Sequence, residues 1–169
     1  MEPDSTLVPE SEPVSAHPRF LVDASLIRLG KYLRCAGYDA EWDAEAPARV
    51  LAARARVEGR VFVTRSTRIG FEFERPDRCV TLAPLDPRDQ FLELVRVLGL
   101  DTRRFTFTRC IRCNVELERV NDPATIRARV EPAVFESRRE FFTCPRCATV
   151  FWHGSHVENT CRKLGLELE

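Results

Sequence analysis

Two short cysteine motifs, CIRC at Cys110 to Cys113 and CPRC at Cys144 to Cys147, carry the clearest chemistry in the chain. Two thiolates separated by two residues can grip one ion from a single tight turn, at the roughly 2.3 Å of a zinc–sulfur bond, and two such turns fill a tetrahedral shell. Cys110, Cys113, Cys144 and Cys147 are therefore expected to hold one structural Zn2+. A redox-active CxxC is the alternative use, and two such pairs in one module favour metal. A shell filled entirely by protein leaves no position open to a substrate, so this ion serves structure. The 30 residues between the pairs (114–143) exceed the roughly 15 to 20 of a simple ribbon. An elaborated ribbon is expected, with a strand over 115–120, a helical turn over 124–130 and a strand over 135–142.

Chemistry on a substrate then falls to the acids. A nuclease that uses a divalent metal needs carboxylates converging on one point, because Mg2+ takes hard oxygen ligands, neutralises phosphate charge and activates water. Asp23 and Asp43 each close a short apolar run, and Glu45 stands near the second. Each is open to two readings, a loop carboxylate or a member of such a site. There is no GxGxxG and no GxxxxGK[ST] loop, which argues against dinucleotide or nucleoside triphosphate chemistry.

The elements that would position these acids follow from periodicity. The run RFLV over 19–22 reads as a buried first strand ending at Asp23. From Ala24 the apolar positions Leu26, Ile27, Leu29, Leu33 and Ala36 recur at helical spacing, and Gly37 supplies the stop. A weak strand over 40–42 ends at Asp43, and an Ala- and Arg-rich helix over 46–58 closes at Gly59. VFV over 61–63 is a third strand that runs into Thr64, Arg65 and Ser66; CVTL over 79–82 is a fourth. Pro87 opens a helix over 88–98, ended by Gly99. Strands alternating with helices over about 80 residues predict an α/β fold, a small parallel sheet covered by helices. Ligands of such sheets gather beyond the carboxyl ends of the strands. Cys35 and Cys79 fall within these core patterns and are expected to pack; Cys161 lies in an expected last helix without an evident role. His153 and His156, in WHGSH, would be surplus as ligands, which leaves RNA contact or a surface turn.

The 169 residues are 44% hydrophobic and 31% charged with a net charge of zero, so attraction to phosphate must come from local clusters of basic groups. Arg28, Lys31 and Arg34 on the first helix, with Arg65 and Arg68 after the third strand, could line such a phosphate track; a solvated helix face is the other reading. No window reaches the run of about 18 apolar residues that a membrane helix requires. Residues 1–18, rich in acids and prolines, read as a disordered lead-in with none of the character of a signal peptide, and a cytoplasmic protein is expected. The expected division is 1–18 lead-in, 19–100 α/β domain, and 101–169 zinc ribbon with a C-terminal helix.

The segments RFLVDASLIRLGKYLRCAGYDAEWD, VFVTRS, FTRCIRCNVEL and REFFTCPRCATVFWHGSH together resemble the Mut-seven C-terminal RNase domain family, a PIN-like nuclease fold joined to a zinc ribbon. That resemblance runs from Arg19 to about Leu164. It implies a metal-dependent ribonuclease acting on RNA, with Asp23 and Asp43 on the acidic positions of the pattern and Mg2+ or Mn2+ as catalytic ion. After the third strand the family reads Thr-Arg-Asp, whereas here Ser66 follows Thr64 and Arg65. A serine brings no charge to a metal, so the site lacks an expected ligand. Two outcomes are open: Asp23, Asp43 and a neighbour such as Glu45 suffice for cutting, or the chain is a non-catalytic RNA-binding or ribosome-associated adaptor. A pure protein-interaction module would leave the strand-end acids unexplained.

Overall fold

The computed structural model describes residues 17–69, 74–103 and 106–166. Residues 1–16 of the expected lead-in lie outside the described residues. Strand β1, Phe20–Val22, is buried at all three positions, the pattern of a strand covered on both faces. A 3-10 turn, Ala24–Leu26, leads from it into helix α1, Ile27–Cys35. Strand β2 is Ala40–Glu41, and helix α2, Ala48–Glu58, ends on Gly59 at φ 64, a left-handed cap that glycine adopts without steric cost. Strand β3 is Val61–Thr64, strand β4 is Cys79–Thr81, and helix α3 is Pro87–Leu98, capped by the Asp86 carboxylate.

The four strands form one parallel sheet in the order β2-β1-β3-β4. Side chains alternate across it. Phe20, Val22, Val61 and Val63 meet Leu26, Leu29 and Leu33 of the α1 segment and Phe91 and Leu94 of α3. Leu21 and Phe62 point the other way, onto Leu51, Ala52 and Ala55 of α2. The chain moves outward from β1 to β2 and then crosses to β3 on the far side of β1, so the strand order reverses between β1 and β3. In sheets of this kind ligands bind at such a reversal, beyond the carboxyl ends of the two strands.

At the opposite end of the sheet Arg60 is 6% exposed and answers several acceptors: Asp39 Oδ1 at 2.7 Å, Glu58 Oε2 at 2.6 Å, Glu41 Oε1 at 3.1 Å and the Phe20 carbonyl at 3.2 Å. Burial pushes the Asp39 carboxyl up, but hydrogen bonds from Arg60 and Asn114, with the Arg60 charge, outweigh it and leave the pKa lowered.

A second, antiparallel sheet follows, in the order β5-β6-β7, made of β5 Glu118–Arg119, β6 Phe142–Thr143 and β7 Val150–Phe151. Between β5 and β6 lie a 3-10 helix, Pro123–Arg129, and helix α4, Pro132–Ser137. The strand expected over 135–142 is corrected here. Pro132 at the first helical position starts a turn that carries Phe135, whose ring stacks on Phe141 at 5.9 Å over a small core of Ile126, Val130 and Phe141. The strand expected over 115–120 is confined to Glu118–Arg119, with a separate bridge between Arg109 and Glu116. Helix α5, Ser155–Leu164, folds back on the first sheet's core: Cys161, Leu164 and Leu166 pack in one cluster with Phe91 and Leu94, and Arg88 donates to the Lys163 carbonyl at 2.7 Å.

The lowered pKa of Asp39 sets a direction for stability. Its contribution is complete above the unfolded value near pH 4 and is lost as pH falls through the lower folded value. Urea unfolding followed from pH 6 to pH 2 is expected to show that loss. Asp39→Asn is expected to flatten it and to cost about 1–3 kcal/mol at neutral pH, the penalty for weakening a buried charged hydrogen bond.

Candidate functional site

Asp23 is the residue after β1, and its geometry follows from the turn it caps. Its Oδ1 accepts from the Ser25 backbone N–H at 2.9 Å, and its Oδ2 accepts from the Thr64 hydroxyl at 3.0 Å. Thr64, the last residue of β3, is fully buried. Its hydroxyl oxygen also accepts from the Ser66 backbone N–H at 3.0 Å, and the Ser66 hydroxyl in turn accepts from the Arg68 N–H at 3.3 Å. Asp23, Thr64 and Ser66 thus form one hydrogen-bonded chain at the carboxyl ends of β1 and β3. Each carboxylate oxygen keeps lone-pair capacity beyond these bonds, and every donor to Asp23 is neutral.

Asp43 lies two residues past β2 on an exposed turn, where its Oδ1 accepts from the N–H groups of Glu45 at 3.0 Å and Ala46 at 3.3 Å. Glu45 is exposed. Among the described residues no three acids bring ligand oxygens within 4.8 Å of one another, so Asp23, Asp43 and Glu45 are not gathered into a preformed three-carboxylate cluster.

The basic residues divide. Arg28 and Lys31 are exposed on α1, Arg68 is exposed on the turn after β3, and Arg65 beside it is half-buried, its Nε enclosed without an acceptor. Arg34 is corrected. It is 5% exposed and donates through Nε to the Ala40 carbonyl at 2.8 Å and through Nη1 to the carbonyls of Ile111 at 2.9 Å and Arg112 at 3.0 Å. Its guanidinium also lies 3.7 Å from the centroid of the Trp42 ring. A side chain so enclosed has no face left for phosphate. Burial pulls its pKa down to about 10 against the pull of Cys110 and Glu41, which leaves it charged at neutral pH.

The four cysteines converge. Their sulfurs all lie within 4.8 Å of one another, and Cys110 and Cys147 are 3.9 Å apart, close to the roughly 3.8 Å edge of a tetrahedron with 2.3 Å bonds. The two turns repeat one geometry. Cys113 and Cys147 each point a backbone N–H at the sulfur three residues back, at 3.4 Å. Asn114 at φ 62 and Ala148 at φ 57 close the turns in the left-handed region, donating to the carbonyls of Cys110 and Cys144 at 2.9 Å. The donor set and spacing fit a zinc ion.

Residues 18–164 match the Mut7-C RNAse domain family, a span that takes in the parallel sheet and all four cysteines. The chain belongs to that family. No curated protein and no solved structure matches it. Membership implies a nuclease-type RNA function, and in this Mut7-C RNAse domain the four cysteines could bind a metal such as zinc. No helix among the described residues is long and apolar enough to cross a membrane.

Two residues of this RNAse domain escaped the reading of its sequence. Asn114 accepts from the Ala40 N–H at 3.1 Å and donates to Asp39 at 2.7 Å, joining the first cysteine turn to β2. Its signal was an asparagine directly after CxxC, where a left-handed residue is needed. Trp42 had no such signal. Cys35 and Cys161 are buried, and burial pushes the Cys35 thiol up to about 12, which makes it an inert packing group. His153 stacks on Phe142 with ring centroids 5.8 Å apart, and His156 lies exposed in α5.

Purified protein is expected to carry about one zinc per chain by elemental analysis, since one four-thiolate set fills one tetrahedral shell. Cys113→Ser is expected to lose it and to unfold the ribbon, because binding and folding are coupled in modules with so small a core.

Proposed function

We propose that this chain is a metal-dependent ribonuclease of PIN-like type acting on cytoplasmic RNA, its catalytic unit spanning about residues 19–100 and its structural zinc ribbon following. The observation that carries the reading is the Asp23–Thr64–Ser66 chain at the carboxyl ends of β1 and β3, in a member of a family of RNAse domains. Asp23 and Asp43 would hold Mg2+ or Mn2+, an ion that binds through one or two carboxylates together with substrate phosphates. Such an ion would neutralise charge on the phosphate and make its bound water a stronger nucleophile.

The chain's own residues do the rest. Thr64 and the Ser25 N–H fix the rotamer of Asp23, so the carboxylate meets its ion without reorganising. Arg28 and Lys31 lie on the helix that follows Asp23, Arg65 and Arg68 on the turn after β3, and they would meet the phosphates on either side of the cut. Ser66 occupies the position of the expected third acid, with its hydroxyl engaged by the Arg68 N–H. That observation favours a second reading, an RNA-binding adaptor that has lost catalysis.

One assay separates the two. Labelled single-stranded RNA is incubated with wild type, Ser66→Asp, Thr64→Val and Asp23→Asn, with Mg2+ and with Mn2+. Slow cutting by wild type is expected, faster with Mn2+, because Mg2+ has the stricter geometry and is harder to dehydrate. Ser66→Asp is expected to raise the rate severalfold and Asp23→Asn to abolish it; Thr64→Val should cost roughly tenfold, as loss of a partner of a metal ligand does. RNA bound but cut by none of the four would select the adaptor.

RNA affinity is expected to fall with salt as counterions are released. Arg28→Ala with Arg65→Ala should lower the slope of log affinity against log salt by about 1.4, from roughly 0.7 per phosphate contact on a single strand. A slope that stays the same in filter binding would remove these residues from the phosphate track.

A further inference from the structure

The first cysteine turn is joined by a short run of contacts to Trp42, the residue before Asp43. Ile111 and Arg112 are the two residues between Cys110 and Cys113, and both of their carbonyls accept from Arg34 Nη1, at 2.9 and 3.0 Å. The same guanidinium stands over the Trp42 ring, its carbon 3.7 Å from the centroid, and Trp42 is the residue before Asp43. Gly30, one helical turn ahead of Arg34, is the other wall. A Cβ there would stand 2.7 Å from Trp42 Cε3, so the glycine lets the indole lie against α1. Asn114 ties the same turn to the Ala40 N–H and to Asp39.

We propose that Arg34 and Trp42 are positioning residues, which couple metal occupancy of the four-cysteine site to the placement of Asp43. The acceptors that hold Arg34 are backbone carbonyls of a CxxC turn, and that turn keeps its shape because two thiolates are wrapped on one ion. When the ion leaves, the turn unwinds and both carbonyls are withdrawn. A buried guanidinium cannot stay without acceptors, since the cost of an unpaired buried charge is large. Arg34 moves, Trp42 loses its cover, and the end of β2 that carries Asp43 loses the contacts that fix it. Charge works in the same direction. Four thiolates around a divalent ion leave about two net negative charges, which draw the Arg34 guanidinium toward the turn. Lysine cannot replace it, because an ammonium has neither the planar fork for three carbonyls nor a flat face for an indole.

The coupling to β2 is independent of nuclease activity; only its consequence at Asp43 rests on the ribonuclease reading. The test uses the full chain carrying Trp152→Phe, so that Trp42 is the remaining tryptophan of the two. Indole emission and hydrogen exchange of the Ala40 amide are followed in the zinc-loaded protein, after chelation, and in zinc-loaded Arg34→Lys. Mn2+ affinity is measured by electron paramagnetic resonance on the same samples, with Asp23→Asn as reference for the carboxylate site. Chelation is expected to shift Trp42 emission to the red and to speed Ala40 exchange. Arg34→Lys is expected to shift the emission with zinc retained, and both changes should weaken Mn2+ binding roughly tenfold, as loss of supporting partners of a metal ligand does. Emission and exchange indifferent to chelation would overturn the proposal, and this arm needs no Arg34 variant to fold. A shift in emission with Mn2+ affinity unchanged would overturn the coupling to Asp43. If emission and exchange respond as expected but zinc-loaded wild type binds no Mn2+, the link to β2 stands and the ribonuclease reading fails.

Discussion

A sheet buried on both faces leaves its polar groups few places to stand. Phe20, Val22, Val61 and Val63 on one side and Leu21 and Phe62 on the other are all 2% exposed or less, so a charge placed among them would lie far from water and from any partner. Charged groups therefore collect at the strand ends. At the amino end they neutralise each other, Arg60 being answered by Asp39, Glu58 and Glu41. At the carboxyl end Asp23 meets two uncharged donors, a backbone N–H and a threonine hydroxyl. One constraint thus gathers the charged groups at both ends of the sheet, paired with one another at one end and met by uncharged donors at the other.

The ribbon faces the opposite difficulty, which is too little to bury. Its own core is Ile126, Val130 and Phe141, with partly covered neighbours such as Phe135 and Trp152. So small a cluster contributes little against the entropy of ordering the loops around it. Three supports make up the difference: four thiolates placed to wrap one ion, the Arg34 and Asn114 hydrogen bonds to the first cysteine turn, and α5, which anchors the chain beyond the ribbon in the core beside Phe91 and Leu94. The second of these reaches β2, where Arg34 and Asn114 both bond to Ala40. That strand is only two residues long and lies at the sheet's edge, so its position depends on what lies against it.

The turn at Ser66 is held by hydrogen bonds on both sides of the residue. The serine hydroxyl accepts the N–H of Arg68, a local bond that a carboxylate at the same position could also make. The backbone N–H of Ser66 is held by Thr64, which also holds Asp23. The tie to the β1 end thus runs through the backbone N–H at position 66 and not through the serine side chain.

The amino-acid sequence by itself determined the α/β pattern and the four-cysteine set. Buried strands announce themselves as unbroken apolar runs, helices by their spacing and their closing glycines, and CxxC by a spacing that little else explains. The resemblance in the first helix, the ribbon and the WHGSH segment likewise pointed to the family that residues 18–164 match. Strand 135–142 was misread because Phe135, Phe141 and Phe142 look like strand residues, while Pro132, which turns Phe135 into a helix, stands outside that window. Arg34 was misread for a different reason. Its spacing from Arg28 and Lys31 suggests a basic helix face, and nothing local says that the face turns inward at its third member. That depends on Ile111 and Arg112, which reach it across 77 and 78 residues of chain. The Thr64 bond to Asp23 spans 41 residues in the same way. Periodicity and motif spacing record what a segment does with itself and with water; which distant carbonyl answers a guanidinium, or which hydroxyl orients a carboxylate, is decided only when packing brings the two together.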